Sequence, residues 1–175
     1  YAMAWSNGIL DLTATIIPGV VGGASGEKAM NNSSLKSALK ENRIPVNKTT
    51  QVPTYWGDLP FTGGPFYIGI LIALLFLMGC FLIDGKLKWW FAISTAFLML
   101  MSMGRHFELL NELLFNTLPF LNKFRAPSSI LTIVALYMVI FAFFTLAKLY
   151  RKEFDSNAVK KALYYSAGIL GAICA

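Results

Sequence analysis

The sequence predicts an all-α protein, a polytopic transmembrane helix bundle carrying an extracytoplasmic loop segment and an amphipathic interfacial helix. Three observations predict it. The chain of 175 residues is 56% hydrophobic with a mean hydropathy of +0.58, above the range usual for soluble domains. The excess is gathered into long uncharged runs at 66–83, 89–104 and 128–147. The segments that follow the first and third runs, 84–88 and 148–161, are short and rich in Lys and Arg.

The runs justify the helices in order. Residues 66–83, FYIGILIALLFLMGCFLI, and residues 128–147, SSILTIVALYMVIFAFFTLA, are long enough to cross a hydrocarbon core about 30 Å thick at about 1.5 Å per helical residue. The second run is short alone, but Lys88 and Arg105 can snorkel at its ends, giving a span over 88–104. A fourth apolar stretch, 162–175, is expected to be a truncated span. Residues 1–65 then form the loop segment and 66–175 the membrane part, and the chain reads as an internal piece of a larger membrane protein. Cys80 and Cys174 have no metal-ligand spacing and read as packing residues.

Charge sets the orientation. The loops 84–88 and 148–161 share one side and hold seven Lys/Arg in 19 residues, whereas residues 1–65 and 105–127 hold eight in 88. The positive-inside rule therefore puts the former in the cytoplasm and the latter outside. The net charge of +6 is accounted for by loop anchors and lipid headgroups. No basic patch with interleaved aromatics suggests nucleic acid.

Three outer segments carry possible chemistry. Residues 19–34 are rich in Gly, Ser and Asn and read as a flexible loop, followed by a short helix over 33–43 that Pro45 ends. In PTYWGDLPFTGGPFYIG, 53–69, aromatic residues flank a carboxylate. The bland reading is an interfacial aromatic belt. The alternative is a sugar-contacting platform of Tyr55, Trp56 and Asp58. Residues 105–121 place Phe107, Leu110, Leu114 and Leu118 at helical spacing, with Glu108, Asn111, Glu112 and Asn116 elsewhere, which suits a helix on the membrane surface. His106 is the one histidine and lies two residues from Glu108, so no zinc-helix pattern exists. No cofactor is identifiable, and a divalent metal stays open. In NKFRAPSS, 122–129, Arg125 and Lys123 precede Pro127 and the start of an apolar helix. Cations beside a helix N-terminus suit a phosphate, and lipid-interface anchoring is the competing reading.

Four landmarks lie in order: YAMAWSNGILDLTATIIPGVVGGASG (1–26), PTYWGDLPFTGGPFYIG (53–69), GKLKWW (85–90) and LPFLNKFRAPSSIL (118–131). Together they resemble the YfhO-type bacterial membrane proteins, in the form associated with Bacteroidetes. That family resembles the type-C glycosyltransferases. The resemblance implies a multi-pass protein of the bacterial cytoplasmic (inner) membrane that uses a polyprenyl-phosphate-linked sugar outside the cytoplasm. Its partners would be membrane lipids, that donor and the remainder of the same polypeptide. It implies carrier-phosphate binding for Lys123 and Arg125 and leaves the catalytic residue unassigned, outside this stretch. The alternative is a non-catalytic scaffold, or a lipid-handling or transport component of the cell envelope. The three main runs hold no charge, which argues against ion or proton transport.

Overall fold

The computed structural model describes residues 3–28, 33–45, 47, 50–117, 123 and 126–174. The all-α expectation holds. Among these residues the elements are α1 (Ile9–Thr13), β1 (Glu27–Lys28), α2 (Ser33–Glu41), β2 (Gln51–Val52), α3 (Ile70–Leu82), α4 (Lys86–Ser102), α5 (Glu108–Thr117), α6 (Leu131–Tyr150) and α7 (Ser156–Cys174). Short 3₁₀ turns at Gly104–Phe107 and Pro127–Ile130 lead into α5 and α6.

The long helix is central. Its core face of Leu131, Val134, Met138 and Phe141 packs with Ala73 and Phe76 of α3 and Leu170 of α7. Phe141 stacks on Phe91 of α4 at 5.0 Å and meets Phe76 edge-on at 5.5 Å. Gly79 lets α3 and α6 cross closely: a Cβ there would lie 2.2 Å from Thr145 Oγ1 and 2.8 Å from the Phe141 ring. Large apolar side chains also point outward, among them Leu136, Ile140 and Phe143 on α6 and Trp89, Trp90 and Ile93 on α4. A helix apolar on all sides needs an apolar surrounding.

Element bounds differ from the sequence expectation in four places. The first run is helical only over Ile70–Leu82. Gly69 takes φ of 118°, and the amides of Ile68 and Gly69 are both spent on the Thr15 carbonyl, at 2.8 and 3.3 Å. Its 13 residues make about 20 Å of helix, short of a full crossing. The second run is α4, which is bent by 113° against the following 104–117 segment. Gly104, at φ of 46°, lies at this corner, and a Cβ there would strike the Ser6 hydroxyl. The third run forms Pro127–Tyr150, the one helix among the described residues that is by itself long and apolar enough to span. α7 starts at Ser156, six residues before the expected apolar start at 162, with Asp155 accepting from the Asn157 and Val159 amides.

The segments before α3 and α6 are tied down by backbone bonds. The Asn7 amide donates to Ser102 O at 3.1 Å, the Ser128 amide to Trp5 O at 3.0 Å and the Trp56 amide to Val21 O at 2.9 Å. The expected loop 19–34 is partly ordered by pairing, since Glu27–Lys28 form an antiparallel ladder with Gln51–Val52 and Gly22 bridges Tyr55. The helix expected over 33–43 spans Ser33–Glu41. Phe107 at the end of the 3₁₀ turn and Leu110 and Leu114 on α5 are half-buried as the spacing predicts, and Leu118 lies outside the described residues. Asn111 is a correction: it is 3% exposed. Its amide donates to Leu100 O at 3.2 Å and Phe107 O at 3.1 Å, tying α5 back to the end of α4.

Candidate functional site

The first 26 residues contain one charged side chain, Asp11. It lies in the one-and-a-half-turn helix α1 and is 4% exposed. Its Oδ2 accepts from the amides of Gly8 at 2.9 Å and Asp58 at 3.1 Å, and its Oδ1 accepts a short hydrogen bond from the Tyr55 hydroxyl. The Leu59 amide donates to the same Tyr55 oxygen at 3.0 Å. Gly57 makes room for this closure, because a Cβ there would sit 2.2 Å from both Asp11 Oδ1 and Tyr55 Oη. A carboxylate offers about four lone-pair sites, so Asp11 is held by three protein donors with acceptor capacity left. Burial, and after it the bond to Asp11, pushes the Tyr55 phenol above its ordinary 10.0. Tyr55 therefore stays a proton donor across the physiological range.

Asp11 lines a recess of about 200 Å³ with Asn7, Thr62, Phe66, Ser128 and Thr132. Ser128 and Thr132 belong to the first turns of the membrane-length helix, so the recess opens at its head. Asn7 is 2% exposed, and its amide nitrogen has no hydrogen-bond acceptor. A buried donor left unpaired costs about 1–3 kcal/mol. Neither a Lys nor an Arg is among the described residues lining it.

A second recess of about 300 Å³ lies across the Asn7–Leu10 segment, lined by Gly8, Ile9, Leu10, Asp58, Met103 and His106. His106 Nδ1 is 3.0 Å from Asn7 O, so that nitrogen carries the proton and donates. Arg105 braces the far wall, its guanidinium donating to Asp58 O at 3.2 Å and its amide to the Ser6 hydroxyl at 3.0 Å.

The sequence candidates separate. Tyr55 joins the Asp11 cluster. Trp56 is 76% exposed, with its indole beside Gly22. Asp58 reaches Asp11 only through its backbone amide, and its carboxylate faces Gly8 and the second recess. Lys123 is exposed. Arg125 lies outside the described residues. No group of three or more His, Cys, Asp or Glu that could hold a metal occurs among the described residues. Asp11 and Asn7 were missed as site residues, although a lone acid in an otherwise uncharged stretch was a usable signal. Compared with protein-family models, curated proteins and solved structures, the chain has no match in any of the three.

Proposed function

We propose that this chain is the donor-handling part of a multi-pass membrane glycosyltransferase that uses a polyprenyl-phosphate-linked sugar on the extracytoplasmic side. One observation carries the reading: a buried carboxylate, Asp11, lines a polar recess at the head of the helix long enough to span. A lipid-linked donor has the same layout, with a tail in the bilayer and a polar head at its boundary. In the reaction an acceptor hydroxyl attacks the anomeric carbon. The bond from that carbon to the carrier phosphate oxygen breaks, and its electron pair leaves with the phosphate. The hydroxyl proton passes to Asp11 as general base. Lys123 and Arg125, five and three residues before Ser128, meet the departing phosphate charge. Tyr55 and the two amides hold the carboxylate still during this.

A second reading has its own support. Three donors already occupy Asp11, which suits a clasp that pins the outer segments in a non-catalytic envelope scaffold.

Sugar transfer by the full-length protein in lipid nanodiscs separates them. Asp11→Asn should lower transfer at least about a hundredfold, as loss of a general base does, while the thermal transition moves little. Arg125→Ala should weaken donor binding about ten- to a hundredfold, the size of one charge-assisted hydrogen bond, and Arg125→Lys should restore part of it. Arg151→Ala on the opposite loop should change nothing. Wild-type-like transfer by Asp11→Asn would leave the clasp. Equal small effects at Arg125 and Arg151 would make Arg125 an interfacial anchor.

A further inference from the structure

We infer that the outward face of α4 from Lys86 to Ser94 binds an anionic phospholipid, in preference to a zwitterionic one, in the leaflet at the Lys86 end of the helix. The inference rests on α4 meeting lipid. It is independent of the transferase reading, which concerns the other end of α4, where Ser102 meets Asn7.

Lys86, Trp89, Trp90, Ile93 and Ser94 recur at steps of three and four residues, so they share one face of the helix. An open groove of about 390 Å³ lies among them. Only α4 lines it among the described residues, and Trp89, Trp90 and Ile93 are 60%, 68% and 61% exposed. Polarity runs one way along the groove. Lys86 stands at its end, the two indoles follow, and Ile93 lies about 10 Å deeper at about 1.5 Å per residue. A phospholipid has the same order of phosphate, ester oxygens and acyl chain. The indole N–H groups of Trp89 and Trp90 can donate at the level of the esters.

Charge selects the lipid. Lys86 has no carboxylate partner among the described residues, whereas Lys88 lies 3.7 Å from Asp84. The Lys88 ammonium is also 5.9 Å from the centre of the Trp89 ring. A choline or ethanolamine cation brought there would meet like charge. The α6–α7 turn lies at the same end, since Leu149 and Phe154 pack against the cluster that holds Leu82. Segments 84–88 and 148–161 together set seven Lys/Arg against Asp84, Glu153 and Asp155, so the local field favours an anion. A second helix is a poorer occupant. Helices in membranes approach closely through small residues, and this face offers two Trp, one Ile and an ammonium. A fluid acyl chain fills the gaps between such side chains.

The test is quenching of tryptophan fluorescence in the full-length protein, held in phosphatidylcholine nanodiscs. Phosphatidylglycerol and phosphatidylcholine, each brominated high on the acyl chain, are compared at equal mole fraction. The signal of this face is the part that disappears when Trp89→Phe and Trp90→Phe are combined. Phosphatidylglycerol should quench it with an apparent affinity about fivefold higher, the scale of one cation acting on an anionic lipid. Lys86→Gln should erase most of that preference and Lys86→Arg should keep it. Lys160→Gln combined with Lys161→Gln, at the same end but on α7, should leave it nearly unchanged. Lys86 is exposed, so its variants should keep the wild-type thermal transition, which is measured beside the quenching. A preference that survives Lys86→Gln would overturn the inference. An equal loss from the α7 pair would assign the preference to the general field of that end and overturn it as well. Equal quenching by both lipids would reduce the groove to ordinary lipid contact. No quenching by either would show that protein, not lipid, covers this face.

Discussion

The head of the molecule, residues 3–28 with 50–69, and its helical body bury opposite kinds of group. In the head the buried set includes Ser6, Asn7, Asp11 and Thr15, and most of these meet backbone or side-chain partners. In the body the buried set is chiefly Phe, Leu, Met, Val and Ala, with large apolar side chains on the outside as well. Two kinds of backbone explain the difference. An irregular chain keeps its amides free to bind side chains, so it is organised by polar clasps. A helix spends its amides on itself, so it is organised by shape, as where Gly79 admits Thr145. The head should therefore fail by losing hydrogen bonds and the body by losing fit.

The largest test of that contrast is Asp11→Ala. It strands the donors of Gly8, Asp58 and Tyr55 and should cost about 2–4 kcal/mol. Hydrogen exchange should accelerate at Gly8 and Asp58 while the α6 amides stay protected. If α6 loses protection to the same degree, the two regions are one cooperative unit.

Next comes Gly79→Ala in the body. The new methyl must displace Thr145 or Phe141 and should cost about 1–3 kcal/mol, with loosened α3–α6 packing and an unchanged Asp11 cluster. A thermal transition equal to wild type would show that the crossing is looser than the close approach implies.

The smallest effect concerns alkaline pH. Tyr55 holds its proton more tightly folded than unfolded, since its folded pKa is raised above the ordinary 10.0. Above that pH the folded state binds more protons than the unfolded state, so stability falls as pH rises. Tyr55→Phe should lower stability at neutral pH by about 1 kcal/mol and flatten the alkaline decline. Unfolding followed between pH 8 and 11 checks this, and an unchanged slope would mean that another group sets it.

Much of the body was legible in advance. The three apolar runs each contain a helix, and Pro127 leads into the long one, because uncharged runs of that length have few alternatives to helix. The ends were less legible. The start of α3 at Ile70 depends on Thr15 capturing the amides of Ile68 and Gly69, a contact across more than fifty positions. The inward turn of Asn111 likewise depends on the bend at Gly104, which brings α5 back within reach of Leu100 O.

The site shows the same division. Residue types and their proximity to a helix start pointed to Tyr55, Trp56, Asp58, Lys123 and Arg125. Local pattern could not say which would share a cavity. By itself the sequence determined the helical class, the apolar stretches and the uneven distribution of charge, because these follow from composition and run length. Only the tertiary structure decided that Asp11 is the clasped carboxylate, that Asn7 sits beside it without an acceptor, and that Asp58 faces the other recess. Those outcomes rest on hydrogen bonds between segments 44 to 47 residues apart, and such partners are chosen by how the chain folds back, not by the residues next to them.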